Sequence, residues 1–232
     1  MKYALVEGKK THIKDAVRGQ IGLDCWHKEY QVRACKGHYM QYWKYTDAKP
    51  SLPEGYENET EWHAAWKSSI FDKCCEVVCG PESEHRADIK TDDYVIELQY
   101  SSISYDAVKE RTKFYKDITN KRVIWIVNAY AAERKGYILR ELDSASKGTR
   151  FIVKWKYQKK WVVDICKSKD TSVFLDISPT AENLIFLWKH NNALYGKWMS
   201  KERFYHTYLK NVSEGYDCFS KALKSVNKYD YK

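Results

Sequence analysis

The segment that most restricts this chain is Lys121 to Asn128, KRVIWIVN. Val123 to Val127 form an unbroken apolar run with no alternation, the pattern of a strand buried on both faces. Such a strand needs cover on either side of its sheet, so the chain reads as α/β. The residues before it supply the cover. From about Asn58, Trp62, Trp66 and Ile70 recur at i, i+4 and i+8, with Ala65 and Ser69 filling the stripe, which predicts a helix to about Asp72. Three short strands are expected next, at Cys74 to Cys79, His85 to Thr91 and Tyr94 to Tyr100. Gly80-Pro81 and Thr91-Asp92-Asp93 supply the turns of an antiparallel meander. A second helix is expected from Ser104 to Ile118. The order is therefore helix, three-strand meander, helix, strand.

Punctuation divides the rest. Lys49-Pro50-Ser51-Leu52-Pro53-Glu54-Gly55 can be neither helix nor central strand. This sets a small amino-terminal module at 1–55, a core at 56–145 and a carboxy-terminal α+β region at 146–232. In the last, after the charged stretch Arg140 to Lys147, alternation predicts strands at Arg150 to Tyr157, Lys160 to Cys166 and Ser172 to Ile177. Helical patterns follow near Ala181 to His190 and Lys201 to Asn211.

Strand geometry brings two carboxylates together. In Tyr94–Tyr100 the apolar Tyr94, Ile96, Leu98 and Tyr100 share one face, leaving Glu97 and Gln99 on the other. In the preceding strand Ala87 and Ile89 are expected on one face, with Arg86, Asp88 and Lys90 opposite. A short turn then sets Asp88 beside Glu97. Paired carboxylates repel unless a cation answers them. A hard, oxygen-coordinated ion such as Mg²⁺ or Mn²⁺ meets that need, and so does a surface pair answered by Arg86 or Lys90.

The runs Glu84-His85-Arg86-Ala87-Asp88-Ile89 and Val95-Ile96-Glu97-Leu98-Gln99-Tyr100-Ser101, followed by Arg111-Thr112, Tyr115 and Val123-Ile124-Trp125-Ile126, resemble the nuclease core of the competence protein CoiA-like family. Upstream, Glu61-x-His63 with Lys67 resembles that family's first helix, and Tyr3-Ala4-Leu5 with Ala16 and Gly19 its opening. The resemblance implies a PD-(D/E)XK, restriction-endonuclease-like core with Asp88, Glu97 and the intervening Leu98 at the metal. Gln99 then fills the slot that holds lysine in the parent motif; it can hydrogen-bond but carries no charge. Glu61 joins the catalytic candidates, and His63, Lys67, His85, Arg111 and Tyr115 the substrate-binding ones.

Several of these have plainer explanations. Asn58-x-x-Glu61 is also a capping box, and an exposed polar face accounts for His63 and Lys67. Arg111 falls within the apolar stripe Val108, Tyr115, Ile118, so its guanidinium wants Glu97 or a phosphate, or else snorkels past the sheet edge. Cys25, His27, Cys35 and His38 lack a standard finger spacing, which argues against zinc; Lys28 stands where the family's knuckle has its second cysteine. Lys154 and Lys156 interleave with Trp155, Tyr157 and Trp161 as in single-strand binding surfaces. Strand alternation explains the same pattern with Phe151, Val153, Trp155 and Tyr157 as core.

Lys plus Arg number 40 against 31 Asp plus Glu, a net charge of +9, which favours an anionic partner. The expected function is Mg²⁺- or Mn²⁺-dependent phosphodiester hydrolysis of nucleic acid, with DNA favoured over RNA. The alternative is an inactive nucleic-acid-binding protein with the same fold. No run approaches the ~20 apolar residues of a spanning helix, so no membrane partner is expected. Seven cysteines without framework spacing read as reduced thiols in a cytoplasmic protein. A homodimer is compatible with the sequence, which sets no oligomeric state.

Overall fold

The computed structural model describes residues 1–37, 41–47, 51, 59–143, 148–157, 159–168 and 171–226. The expected boundary near residue 55, Asn58 and His38 lie outside the described residues. Five short strands, β1 (Tyr3–Val6), β2 (Lys9–His12), β3 (Ile21–Leu23), β4 (Gln31–Lys36) and β5 (Gln41–Tyr45), form an antiparallel sheet in the order β2-β1-β3-β4-β5. A small core of Ala4, Ile13, Ala16, Val32, Ala34 and Trp43 holds it.

The rest is built on one mixed sheet. Helix α1 (Glu61–Lys67) precedes β6 (Cys75–Cys79), β7 (His85–Lys90) and β8 (Tyr94–Gln99). Then come α2 (Tyr105–Thr119), β9 (Arg122–Asn128), α3 (Tyr130–Arg134), β10 (Ile138–Leu142) and β11 (Phe151–Trp155). Helix α4 (Lys160–Ile165), β12 (Thr171–Asp176), β13 (Asn183–His190), β14 (Ala193–Ser200), α5 (Lys201–Tyr208) and α6 (Tyr216–Lys224) complete it. The nine strands run β10-β11-β14-β13-β12-β9-β8-β7-β6. Strand β9 is parallel to both β8 and β12, and the meander β6-β7-β8 is antiparallel. The strand expected at Lys121 to Asn128 is thus central, with Val123, Trp125 and Val127 in the core under α2 and α4 and Ile124 and Ile126 in the core under α1, α5 and α6. Strands β10 and β11, which flank the expected boundary between core and carboxy-terminal region, pair in this one sheet.

Two expected elements change type. Lys160 to Cys166 is helical: Trp161, Val162, Ile165 and Cys166 are buried, a one-sided helical spacing that also passes for loose alternation. Ala181 to His190 is instead strand β13, because Leu184 to Trp188 is a continuous apolar run, which periodicity cannot assign between strand and helix. The turn that follows decides it. Asn191 and Asn192 both take positive φ, 45° and 61°, joining His190 to Ala193 in a two-residue hairpin of the kind that right-twisted strands favour.

Where β14 crosses β11, Gly196 faces Phe151 across the ladder. A Cβ there would lie 2.5 Å from Phe151 Cε2 and 2.9 Å from both Ile185 Cγ2 and Val153 Cγ2. Gly196→Ala should cost about 1–3 kcal/mol by overpacking, read as a lower melting temperature. An unchanged melting temperature would show that this crossing has room to relax.

Candidate active site

Asp88 and Glu97 lie on β7 and β8 where the two strands part. Their ladder pairs Lys90 with Val95 and Ile89 with Ile96. One step beyond, Asp88 Oδ2 accepts the Leu98 amide at 2.9 Å, so a side chain takes the place of a strand carbonyl. The expected sharing of a face by Ala87 and Ile89 fails at this level. Ala87 packs with the α2-side core and Ile89 with the α1-side core. The cause lies across the ladder, where Glu76 adopts φ 46°. Its left-handed backbone interrupts the period of two, and Cys75 and Val77 likewise join opposite cores.

Each carboxylate meets a cation from a different helix. Arg111, on the buried stripe of α2 with Val108 and Tyr115, forms an ion pair with Glu97 Oε2. Their side chains are 4% and 1% exposed, and the guanidinium also lies over the Trp125 ring, 5.2 Å to its centroid. Of the partners the sequence left open for Arg111, Glu97 is the one found. Glu97 Oε1 is buried with no hydrogen-bond partner among the described residues. On the other side, Lys67 of α1 places Nζ 2.8 Å from Glu59 Oε1, 2.9 Å from Glu76 Oε1 and 3.8 Å from Asp88 Oδ1. Burial disfavours this ammonium, but Glu59, Glu76 and Asp88 outweigh it and hold its pKa above the usual lysine range. Burial likewise works to raise the Glu76 pKa, and Lys67 and Arg86 overturn it, keeping the carboxyl well below its ordinary value.

Lys67 and His63, substrate-binding candidates by sequence, are both buried. His63 caps α1. The helix begins after Thr60, whose side chain accepts from the His63 amide while its own amide donates to His63 Nδ1. The capping box is therefore Thr60 with His63, and Glu61 is the exposed first residue of the helix. Since a carbonyl only accepts, His63 Nε2 carries the proton it donates to Leu98 O at 3.1 Å. The Leu98 carbonyl, expected at the metal, is thus engaged by His63. Gln99 is buried and its Nε2 donates to Ser101 O at 3.2 Å.

Helix α1 is held to the sheet by a residue that alternation did not single out. Asp176, fully buried at the end of β12, accepts from Trp62 Nε1, Trp66 Nε1 and Tyr130 Oη at 2.9–3.0 Å and pairs with Lys201. Glu59 and Glu76 were also missed, although a lone glutamate inside the apolar run CEVVC is the kind of buried charge that wants a partner. Tyr115 is fully buried and belongs to the core rather than to a substrate surface. His85 packs on Phe114 at 4.5 Å, and its pKa is lowered by burial and by Arg111. Lys154 is exposed and pairs with Glu141 at 2.6 Å, whereas Lys156 lies over the Tyr137 and Tyr157 rings. Phe151, Val153 and Trp155 point into the core, and Tyr157 is exposed.

Among the described residues no group of three or more His, Cys, Asp or Glu is arranged to hold a metal. In the amino-terminal module, burial pushes the Cys25 thiol up to about 11. All seven cysteines are free, and no helix of the described residues is long and apolar enough to cross a membrane.

The fold is a mixed sheet in an α/β arrangement, with the acidic residues of β7 and β8 answered by cations from α1 and α2. The chain matches the family of the competence protein CoiA, nuclease-like domain, over residues 61–197, more than half of its 232 residues, and it belongs to that family. The match spans the sheet from α1 into β14. No curated protein and no solved structure matches the chain significantly.

The Glu97–Arg111 pair makes a sharp energetic statement. Arg111→Met strands a carboxylate in the core and should cost about 3–5 kcal/mol, measured by urea unfolding. Adding Glu97→Gln removes the stranded charge and should recover most of that loss. Wild-type stability in Arg111→Met would mean that Glu97 is neutralised by something other than Arg111.

Proposed function

We propose that this protein is a divalent-metal-dependent nuclease of the PD-(D/E)XK type acting on nucleic acid, with DNA favoured over RNA. The observation that carries the reading is the buried, unpartnered Glu97 Oε1 one residue from the amide that Asp88 binds. A buried carboxylate oxygen without a donor is costly, and a hard cation satisfies it. The order α1, β6-β7-β8, α2, β9 supports the same assignment, as does membership of a nuclease-like family. The residues fit Mg²⁺ or Mn²⁺: Asp88 and Glu97 would hold the ion, with water and substrate completing its shell.

When bound, that ion supplies Lewis-acid polarisation of the phosphodiester and a more acidic water. The chain's own groups prepare the site. Arg111 fixes one oxygen of Glu97 and leaves the other directed. The Leu98 amide fixes Asp88, while His63 fixes the Leu98 carbonyl from the opposite side. Lys67 sets a permanent positive charge 3.8 Å from Asp88, and so provides charge at a site where Gln99 cannot. The neutral Gln99 amide serves as a hydrogen-bonding group.

A second reading has one observation in its favour. Both carboxylates are already answered by protein cations, as they would be in an inactive nucleic-acid-binding protein that kept the fold.

One experiment separates the two. Single-stranded, duplex and branched DNA and RNA are incubated with the protein in Mg²⁺, Mn²⁺ or EDTA. Metal-dependent cleavage is expected, abolished in Asp88→Asn at unchanged melting temperature and in Glu97→Gln, which also lowers the melting temperature because it leaves Arg111 buried without its partner. Gln99→Ala should lower turnover ~10²-fold to 10³-fold, the usual cost of one positioned hydrogen-bonding group near developing charge. Absence of cleavage on every substrate with every metal would favour the second reading.

A further inference from the structure

The large sheet is not covered equally on its two faces. Along β13 and β14, Ile185, Leu187 and Leu194 point into the core under α2 and α4. Alternation therefore turns Phe186, Trp188 and Tyr195 to the opposite face. Helices α1, α5 and α6 cover that face only part of the way. Phe186 still packs on the buried Phe174, at 5.2 Å between ring centroids. Beyond it Trp188, Tyr195 and Ile152 are only half-buried and belong to none of the hydrophobic clusters of the described residues.

These side chains form an ordered surface. Trp188 lies opposite Tyr195 and Phe186 opposite Lys197, while Ile152 of β11 lies opposite Tyr195. The Phe186 and Trp188 rings are 5.8 Å apart and tilted by 28°, and the Trp188 and Tyr195 rings are 5.8 Å apart and tilted by 16°. Arg150 extends the row, its guanidinium 5.2 Å from the Tyr195 ring centroid. Lys154, Lys197 and His190 stand exposed around it. Glu141 and Asp143 answer Lys154 and Arg150, which leaves Lys197 as the positive margin, with the His190 ring 6.4 Å from that of Tyr195. Aromatic rows bordered by cations are how sequence-tolerant single-strand surfaces are built, with bases against rings and phosphates against Arg and Lys.

We propose that this open half of the sheet, centred on Trp188 and Tyr195, is a binding platform for single-stranded nucleic acid. It rests on the nucleic-acid substrate proposed above but not on cleavage. Strand β13 lies three strand spacings from β8, roughly 14 Å at the usual separation. The aromatic surface suggested by the Lys154 to Trp161 segment is thus supplied by the neighbouring hairpin, whose rings face outward where Trp155 faces inward.

The test measures binding without cleavage. Fluorescently labelled oligo-dT and a mixed-sequence single strand, each of about 20 nucleotides, are titrated with Asp88→Asn protein in EDTA and followed by anisotropy, with a duplex of the same length for comparison. The single strands should bind more tightly than the duplex and quench tryptophan emission. Trp188→Ala should weaken binding at least about ten-fold, by loss of a stacking face. Lys197→Ala, at an exposed position, should weaken it less and lower the salt slope by about one. Equal affinity of Trp188→Ala and Lys197→Ala with their parent, at unchanged melting temperature, would overturn the platform, as would equal binding of duplex and single strand. Concentration-dependent self-association lost in Trp188→Ala, without oligonucleotide binding, would overturn it in favour of an interface between copies. Stacking-dependent binding by a protein that never cleaves would sink the nuclease reading alone; cleavage with binding indifferent to Trp188 would sink this one alone.

Discussion

Burial of Glu97 against Arg111 is the interaction on which the rest of the site depends. A carboxylate in the interior of a strand cannot be tolerated unless a cation reaches it, and Arg111 reaches it only because α2 packs its Val108, Arg111, Tyr115 stripe onto the sheet. That packing in turn requires β9 to lie beside β8, with Trp125 under the guanidinium. The mirror arrangement on the other face uses Lys67 of α1 among Glu59, Glu76 and Asp88. Two helices therefore clamp one strand pair through charge, and the backbone of β6 bends at Glu76 to complete the second clamp.

The clamp is braced from outside. Lys10 of the amino-terminal sheet bonds the carbonyls of Asp72 and Cys75, Tyr3 bonds Asp72, and Lys2 bonds the Ala64 carbonyl. The small module thus holds the segment that enters β6 just before the bend. From the sheet's centre Asp176 gathers Trp62, Trp66, Tyr130 and Lys201, which fixes the face of α1 from which Lys67 and His63 project. Neither brace contains a group expected to touch substrate. Their work is to leave the acidic pair few conformations, the condition for positioning a cation or a phosphate.

How much of this was legible in the sequence follows from which interactions are local. The central strand, the meander and the Arg111 stripe were readable because period and turn residues fix them within a few positions. Helix and strand were confused at Leu184 to Trp188, where a buried run has no period to read and only the Asn191-Asn192 turn carried the answer. Alternation set Glu97 opposite Ile96 and Leu98, yet the bend at Glu76, which moves Ala87 and Ile89 to different cores, depends on a buried ion pair between β6 and α1. His63 and Lys67 read as exposed because their partners, Leu98 and Glu76, lie 35 and 9 residues away. The open aromatic face could not be seen until β13 was known to be a strand.

A carboxylate pair clamped from two faces, with one buried oxygen still lacking a donor, is the physical basis of the functional account. Its central claim is that Asp88 and Glu97 share a divalent cation. The direct measurement is Mn²⁺ binding at neutral pH, followed by electron paramagnetic resonance of the free ion and by calorimetry on the wild-type chain, Asp88→Asn and Glu97→Gln. The account predicts one bound Mn²⁺ per chain in the wild type and affinity at least about ten-fold weaker in each variant, in line with the usual cost of disturbing a metal's ligand shell. Equal Mn²⁺ binding by all three proteins, or no binding by any of them at millimolar ion, would contradict it.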